Sequence, residues 1–131
     1  MTAIYLDSSA FVKLVVEEPE SVAAAAFLAA RGSRRVASAL LRTESLRAVR
    51  HLGPEALAMC REALRRVDLV AIDDRILDAA GILEPRVLRT LDAIHLATAM
   101  ALGDDLESIV TYDDRMIEAA RLMGLPTSTP R

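Results

Sequence analysis

The sequence predicts an α/β fold in which a parallel β-sheet is covered by helices on both faces, giving three layers. Short apolar runs of strand length alternate with longer helical patterns, and strands separated by helices typically pair in parallel. Hydrophobic residues make up 53% of the 131 residues, enough for one compact core. We therefore expect a single domain over residues 1–131.

Four strands are expected, each bounded by polar or turn-forming residues. They are AIYL (3–6), RVAS (35–38), LVAI (69–72) and SIVT (108–111). A short tail containing Pro126 and Pro130 is predicted to add a final edge strand.

The segments between and after the strands have helical patterns. They are SAFVKLVV (9–16), PESVAAAAFLAA (19–30), ALLRTESLRAVRHL (39–52), PEALAMCREALRRV (54–67), DRILDAAGIL (74–83), TLDAIHLATAMAL (90–102) and DRMIEAARLM (114–123). Pro19 and Pro54 mark helix starts, because proline fits the first turn of a helix, and Gly53 stops the preceding helix. Thr90 is expected to cap the helix that follows it.

The composition excludes several classes of protein. The single cysteine, Cys60, cannot form an internal disulfide or a cysteine metal site, and it suits a reducing cytoplasm. We find no signal-peptide pattern and no run of about 20 apolar residues of the kind that spans a membrane. The sequence predicts a cytoplasmic protein that does not cross a membrane.

The charge is unevenly distributed. Between Arg31 and Arg66 nine arginines stand against three acids, so that segment carries +6 while the net charge of the chain is −3. Guanidinium groups match phosphate geometry, so this segment is a candidate RNA-binding surface, with Arg47, Arg50 and Arg61 as its proposed contacts. The alternative is that these arginines only cover a solvated helix face.

Acidic residues follow two of the predicted strands. Asp7 comes directly after the first strand and Asp113 after the fourth, and sites in open α/β sheets form beyond the carboxyl ends of strands. Asp7 or Ser8 has an alternative role as a helix N-cap. Of the neighbouring pair, Asp114 suits the cap of the last helix and Asp113 suits a site.

Glu44 lies on the apolar face of its predicted helix. At helical spacing it shares that face with Leu40, Leu41 and Ala48. A buried carboxylate is costly without a partner. Its structural partner would be Arg47, one turn along, but such a surface pair stabilises a helix only weakly, so we favour a functional role.

Asp92 is a charge in the first turn of an otherwise apolar helix. The helix dipole favours an acid there, which is its structural explanation. His95, three residues on, is within reach of an Asp92–His95 hydrogen bond, although a lone histidine on an apolar helix is more often a satisfied core residue.

Four acids that converge at one end of the sheet need a cation, because their mutual repulsion would otherwise raise their pKa values. With only oxygen ligands at hand, the sequence predicts Mg²⁺ or Mn²⁺. Such a metal beside a basic surface suits phosphodiester hydrolysis, since it polarises the phosphate and activates a water.

Four stretches together resemble the PIN-domain ribonucleases, specifically the VapC-type toxins of bacterial toxin–antitoxin pairs. They are YLDSSAFVKL, SALLRTESLRAV, RTLDAIHLATAMAL and IVTYDDRMIEAA. The resemblance implies a Rossmann-like sheet, RNA cleavage, homodimers and a VapB-type antitoxin that occludes the site. It also implies site residues, which are the catalytic acids Asp7, Glu44, Asp92 and Asp113, of which Asp7, Asp92 and Asp113 are the expected metal ligands, and the supporting residues Ser8, Thr111 and Asp114.

Two other functions stay open on the residues alone. An aspartyl-phosphate phosphatase wants a second acid two residues after the first, where this chain has Ser9, and a receiver domain wants a late lysine, whereas the only lysine is Lys13. A non-catalytic RNA- or protein-binding module of the same fold would have no need of Glu44. For the antitoxin, the apolar stretches Phe11–Val16 and Val22–Ala30 are the expected docking groove.

Overall fold

The computed structural model describes residues 2–84, 86 and 88–131, and it confirms the α/β prediction. Its described strands are β1 (Ala3–Leu6), β2 (Arg34–Ser38), β3 (Asp68–Val70), β4 (Leu106–Val110) and β5 (Thr127–Ser128). They form one parallel sheet in the order β3-β2-β1-β4-β5. The expected tail strand is present as β5, at the edge beside β4.

Helices connect these strands at the predicted places. Those described are α1 (Ser8–Val12), α2 (Ser21–Ala29), α3 (Leu40–Val49), α4 (Pro54–Leu64), α5 (Asp74–Gly81), α6 (Thr90–Met100) and α7 (Asp114–Leu122). Short 3₁₀ turns follow α3 at Arg50–Leu52 and α6 at Gly103–Asp105. Within the described ranges, none of these helices is long and apolar enough to cross a membrane.

Alternate side chains of β1 build the two sides of the core, as the period of a strand requires. Ile4 and Leu6 pack on one face with side chains of α1–α4, while Tyr5 packs on the other with residues of α6, β4 and α7. β1 is buried along its whole length. The sheet is thus enclosed on both faces, as all-parallel sheets usually are.

Some predicted boundaries were wrong. The first helix ends at Val12, four residues early, and the chain continues in tight turns such as Leu14 N–H to Phe11 O at 2.9 Å. α2 begins at Ser21 and not at Pro19, because the Ser21 hydroxyl accepts from Glu18 N and turns the chain there. Thr90 is the first helical residue of α6, and its N-cap is Arg89, which makes no side-chain cap bond.

The order of the strands places a crevice beside β1. The chain runs from β1 outward to β2 and β3, then crosses back to β4 on the other side of β1. Strand order therefore reverses between β1 and β4, and open α/β sheets bind ligands beyond the carboxyl ends at such a reversal. The residues that follow these two strands are Asp7 and Thr111–Asp113.

The C-terminal tail is fastened to the segment that follows β4. The Thr129 hydroxyl donates to Thr111 O at 2.9 Å, and Thr111 N–H donates to Ser128 O at 3.2 Å. One residue further, the Tyr112 hydroxyl donates to Pro130 O at 2.7 Å. These bonds attach the C-terminal tail to residues 111–112, which follow β4.

Candidate active site

Asp7 is a buried carboxylate at the carboxyl end of β1, only 4% exposed. Its Oδ1 accepts from Ala10 N at 3.0 Å and from Ser9 Oγ at 2.7 Å, and its Oδ2 accepts from Thr111 Oγ1 at 2.5 Å. Asp7 is therefore the N-cap of α1 as well as a candidate site residue. Burial raises the pKa of this carboxyl, and the donated hydrogen bonds oppose that shift.

Two hydroxyls join the ends of β1 and β4. Thr111, where the resemblance places a supporting residue, donates to Asp7 from the strand next door. The serine that contacts Asp7 is Ser9 and not Ser8, and Ser9 Oγ also accepts from Tyr112 N at 2.9 Å. Sequence reasoning missed Ser9, although its position two residues after Asp7 at a helix start was a usable signal.

Asp113 caps α7, so the assignment of the cap to Asp114 was wrong. Asp113 Oδ1 accepts from Arg115 N at 2.9 Å, and Asp113 N–H donates to Thr111 Oγ1 at 3.1 Å. The second bond selects Asp113 as the cap, because it links Asp113 to the hydroxyl that already contacts Asp7. Asp114 lies exposed in the first turn of α7.

Asp92 lies half-buried in the first turn of α6. Burial raises the pKa of its carboxyl, and the negative charges of Asp113 and Glu44 raise it further. His95 and Arg115 act in the opposite direction. The structure thus brings Asp92, Asp113 and Glu44 within electrostatic reach of one another.

Glu44 is paired with His95 rather than with Arg47. Its Oε1 lies 2.6 Å from His95 Nε2, and its side chain is 21% exposed. The buried residues of α3 are Leu41, Ser45 and Val49, so Glu44 lies at the edge of that face. Ala48, expected on the same apolar face, is exposed.

His95 forms hydrogen bonds with Glu44 and Tyr5 and not the expected one with Asp92. The His95 ring is 2% exposed, and its second nitrogen, Nδ1, lies 2.6 Å from the Tyr5 hydroxyl. His95 is therefore a satisfied buried residue, as its apolar helix indicated. It is also in contact with a candidate catalytic acid.

Comparisons with known proteins agree with this geometry. Residues 4–122 match the family model of the PIN domain. The chain is 54% identical over 130 residues to ribonuclease VapC46 of Mycobacterium tuberculosis, covering 99% of each chain. The chain belongs to the PIN-domain family, in its VapC branch.

Solved structures show the same fold. A toxin–antitoxin complex from Klebsiella pneumoniae superposes on this PIN domain with a TM-score of 0.74 at 22% identity, covering 98% of each chain. The sarcin–ricin loop cleaving toxin VapC20 of Mycobacterium tuberculosis has a TM-score of 0.73 at 18% identity, covering 88% of this chain and 94% of its own. At these identities the likeness concerns the fold alone.

The acids of this PIN domain fit a hard divalent cation in charge and donor type, because carboxylate oxygens are its preferred ligands. Burial raises the pKa of the Asp92 carboxyl, and the negative charges of Asp113 and Glu44, which a cation would offset, raise it further. Among the residues that the structure describes, no group of three or more acidic, histidine or cysteine side chains forms a ready coordination cage. Mg²⁺ commonly keeps several waters and takes one or two carboxylates together with a substrate phosphate. The arrangement therefore fits a metal that is completed by the substrate.

The predicted RNA contacts lie on one segment of this PIN domain. Arg47 is on α3, one turn from Glu44, Arg50 follows α3, and Arg61 is on α4; all three are exposed. Elsewhere in the basic segment, Arg31 pairs with Glu107 and Arg34 with Asp68. The ion pairs found among the described residues include none with the three predicted contacts, so their charge is free to meet a phosphate.

Proposed function

We propose that this VapC-type PIN domain is a cytoplasmic toxin that hydrolyses RNA phosphodiesters with the help of Mg²⁺ or Mn²⁺. The observation that carries the proposal is the joining of Asp7 to the loop after β4 through Thr111, at the point where strand order reverses. The relative named a ribonuclease, 54% identical over 99% of both chains, supports the same activity. The single cysteine, free and buried, suits a reducing compartment.

In the proposed mechanism Asp7, Asp92 and Asp113 would hold the metal, which would polarise the phosphate and lower the pKa of an attacking water. Three donors fix the Asp7 carboxylate, so that it is oriented before substrate arrives. Glu44 orients the attacking water through Oε2, an oxygen that no described residue engages by a hydrogen bond.

The decisive experiment is an RNA cleavage assay with Mg²⁺, with Mn²⁺ and with a chelator. We compare the wild type with Asp92→Asn, and use Asp78→Asn, an exposed acid of α5, as the matched control. We expect cleavage only with metal, loss to background in Asp92→Asn, and wild-type cleavage in Asp78→Asn. RNA that is bound but never cut by the wild type would favour the non-catalytic binding module instead.

An aspartyl-phosphate phosphatase has no specific support in the geometry. The position of its second acid holds Ser9, whose hydroxyl is engaged with Asp7 and with Tyr112 N. A carboxylate there would face Asp7 with like charge. We therefore keep the nuclease as the only proposed activity.

We also propose that the protein pairs with a VapB-type antitoxin and forms a homodimer. A toxin–antitoxin complex among the solved structures of the same fold supports the antitoxin. The expected groove needs one revision, because Phe11 and Val15 are buried in the core, whereas Val22 of α2 is 83% exposed. The exposed side of α2 is the part of that surface which remains available to a partner.

A further inference from the structure

One buried chain of hydrogen bonds connects four elements behind the proposed site, β2, β1, α6 and α3. It runs from Ser38 N to the Tyr5 hydroxyl at 3.1 Å, from that hydroxyl to His95 Nδ1 at 2.6 Å, and from His95 Nε2 to Glu44 Oε1 at 2.6 Å. Ser38, Tyr5 and His95 are each at most 2% exposed. The chain ends at the edge of the site, on a carboxylate that is partly exposed.

The direction of donation in this chain follows from its first member. The Ser38 amide can only donate, so the Tyr5 oxygen accepts from it. Among the described residues, the Tyr5 hydroxyl has Ser38 N and His95 Nδ1 as its hydrogen-bond partners, so the hydroxyl hydrogen of the phenol is donated to His95 Nδ1. A ring nitrogen that accepts leaves the hydrogen on the other one. His95 Nε2 therefore carries a hydrogen and donates it to Glu44.

We propose that His95 is a positioning residue that orients Glu44, with its ring tautomer set by Tyr5 and the Ser38 amide. The inference rests on the proposed function, in which Glu44 orients the attacking water. Glutamate has several rotatable bonds, and fixing one carboxylate oxygen to a buried ring removes much of that freedom before the substrate binds. In the part of the chain that the structure describes, no other hydrogen bond or ion pair holds the Glu44 carboxylate.

A matched pair of substitutions separates positioning from simple core packing. An asparagine side chain reaches the place of Nδ1 and keeps a partner for Tyr5, but it stops short of Glu44. A glutamine side chain carries its amide to the place of Nε2 and can still donate to Glu44. Both variants remove the ring. His95→Asn keeps the contact with Tyr5 and loses the contact with Glu44, whereas His95→Gln does the reverse, so the comparison shows which of the two contacts catalysis needs.

The test measures kcat and KM for metal-saturated RNA cleavage, and the melting temperature of each variant. Loss of an orienting partner beside a metal site typically costs 10- to 100-fold, so we expect kcat of His95→Asn to fall by about 10-fold or more. We expect His95→Gln to recover most of it, with KM changed less than about 2-fold and similar melting temperatures for the pair. Equal kcat values in the two variants, or a kcat that follows the melting temperature, would overturn the proposal.

A spectroscopic measurement on the wild type keeps the proposal testable if either variant fails to fold. His51 and His95 are the two histidines of the chain, so ring-¹⁵N histidine labelling gives two sets of signals, and His51 is exposed. We expect a hydrogen on His95 Nε2, protected from solvent exchange, whose signal shifts in Glu44→Gln. An Nε2 without hydrogen would overturn the inference.

Glu44→Gln also separates the two proposals in the cleavage assay. An inactive Glu44→Gln together with a fully active His95→Asn would overturn only the positioning role. A fully active Glu44→Gln would contradict the role of Glu44 in the proposed mechanism, and the positioning of Glu44 for catalysis would fall with it.

Discussion

The substitution Asp7→Asn removes the charge of the most buried acid at the site while keeping its shape. Asparagine retains Oδ1 as the acceptor for Ala10 N and Ser9 Oγ. Its amide replaces the oxygen that accepts from Thr111, and the Thr111 hydroxyl has to rotate so that it accepts instead. We expect RNA cleavage to fall to background, because a proposed metal ligand is lost.

The stability of this variant should not fall in the absence of metal. Replacing a charge-assisted bond by a neutral one costs about 1 kcal/mol. Removing a buried charge gains several kcal/mol if the hydrogen bonds to that charge are ignored. Because those bonds offset part of the gain, we expect the free energy of unfolding to rise by about 1–2 kcal/mol. With unfolding entropy of about 2.1 cal/mol/K per residue, this corresponds to a melting temperature about 4–7 °C higher.

The pH dependence of the difference has a fixed sign. Because burial raises the folded-state pKa of Asp7 above 3.8, the folded state holds the proton more tightly than the unfolded chain does. The buried charge of Asp7 therefore destabilises the folded wild type fully at pH values above the raised pKa, and this destabilisation disappears below about pH 3.8. The advantage of Asp7→Asn should therefore shrink as the pH falls through that window.

Asp73 provides the control for this experiment. It caps α5 as Asp7 caps α1, with Oδ1 accepting from Ile76 N at the same 3.0 Å, but it is exposed. Since Asn and Asp are similar caps, Asp73→Asn should change stability by less than about 1 kcal/mol. The assay is thermal melting in a chelator from pH 4 to 8. A loss of 2 kcal/mol or more in Asp7→Asn alone would show that the buried charge stabilises the fold, and would refute the reasoning.

Three further outcomes are expected. Neutralising the three predicted RNA contacts together should weaken binding across sequences and lower the slope of log K against log salt by about 2, since each phosphate contact to a single strand contributes about 0.7; an unchanged slope would place RNA on another face. These contacts are Arg47, Arg50 and Arg61. Gly53→Ala should cost about 1–3 kcal/mol in urea unfolding, because Gly53 has φ +99° and ψ −178°, a region essentially reserved for glycine. Gly32→Ala, in open space at ordinary φ, should change stability by less than about 1 kcal/mol. Finally, excess Mg²⁺ should compete with an antitoxin peptide that inserts an arginine among the acids. Replacing that arginine by alanine should reduce inhibition more than it reduces binding of the peptide. Inhibition that changes with neither would mean that the antitoxin acts elsewhere.

The order of strands and helices was readable from the sequence because each element carries its own period and its own breakers. Asp7 could also be recognised from the sequence as a candidate site residue, because it follows a strand that is apolar at every position. Boundaries were less readable where a single hydroxyl decides them. Ser21 starts α2 two residues after Pro19 by accepting from Glu18 N, and nothing in local propensity separates those positions.

The partners within the site depended on contacts between distant parts of the chain. Asp113 and Asp114 are equally good caps by type, and the choice was made by Thr111, whose hydroxyl accepts from Asp113 N. Glu44 and His95 are 51 residues apart in sequence, so their bond follows from where the fold places α3 and α6 rather than from either helix alone. Residue type therefore indicated the acids, while only the fold could pair them.

The hydrogen bonds between the tail and the segment after β4 affect which mutations can inactivate the gene. The last five residues, 127–131, supply the partners of Thr111 and Tyr112, and Thr111 is the residue that holds Asp7. A stop codon or frameshift that removes only these residues leaves every proposed catalytic acid encoded, yet it unfastens the loop on which two of them depend. In a population under pressure to silence a toxic gene, mutations in the codons for residues 127–131 are thus expected to be selected together with mutations in the codons of the acids.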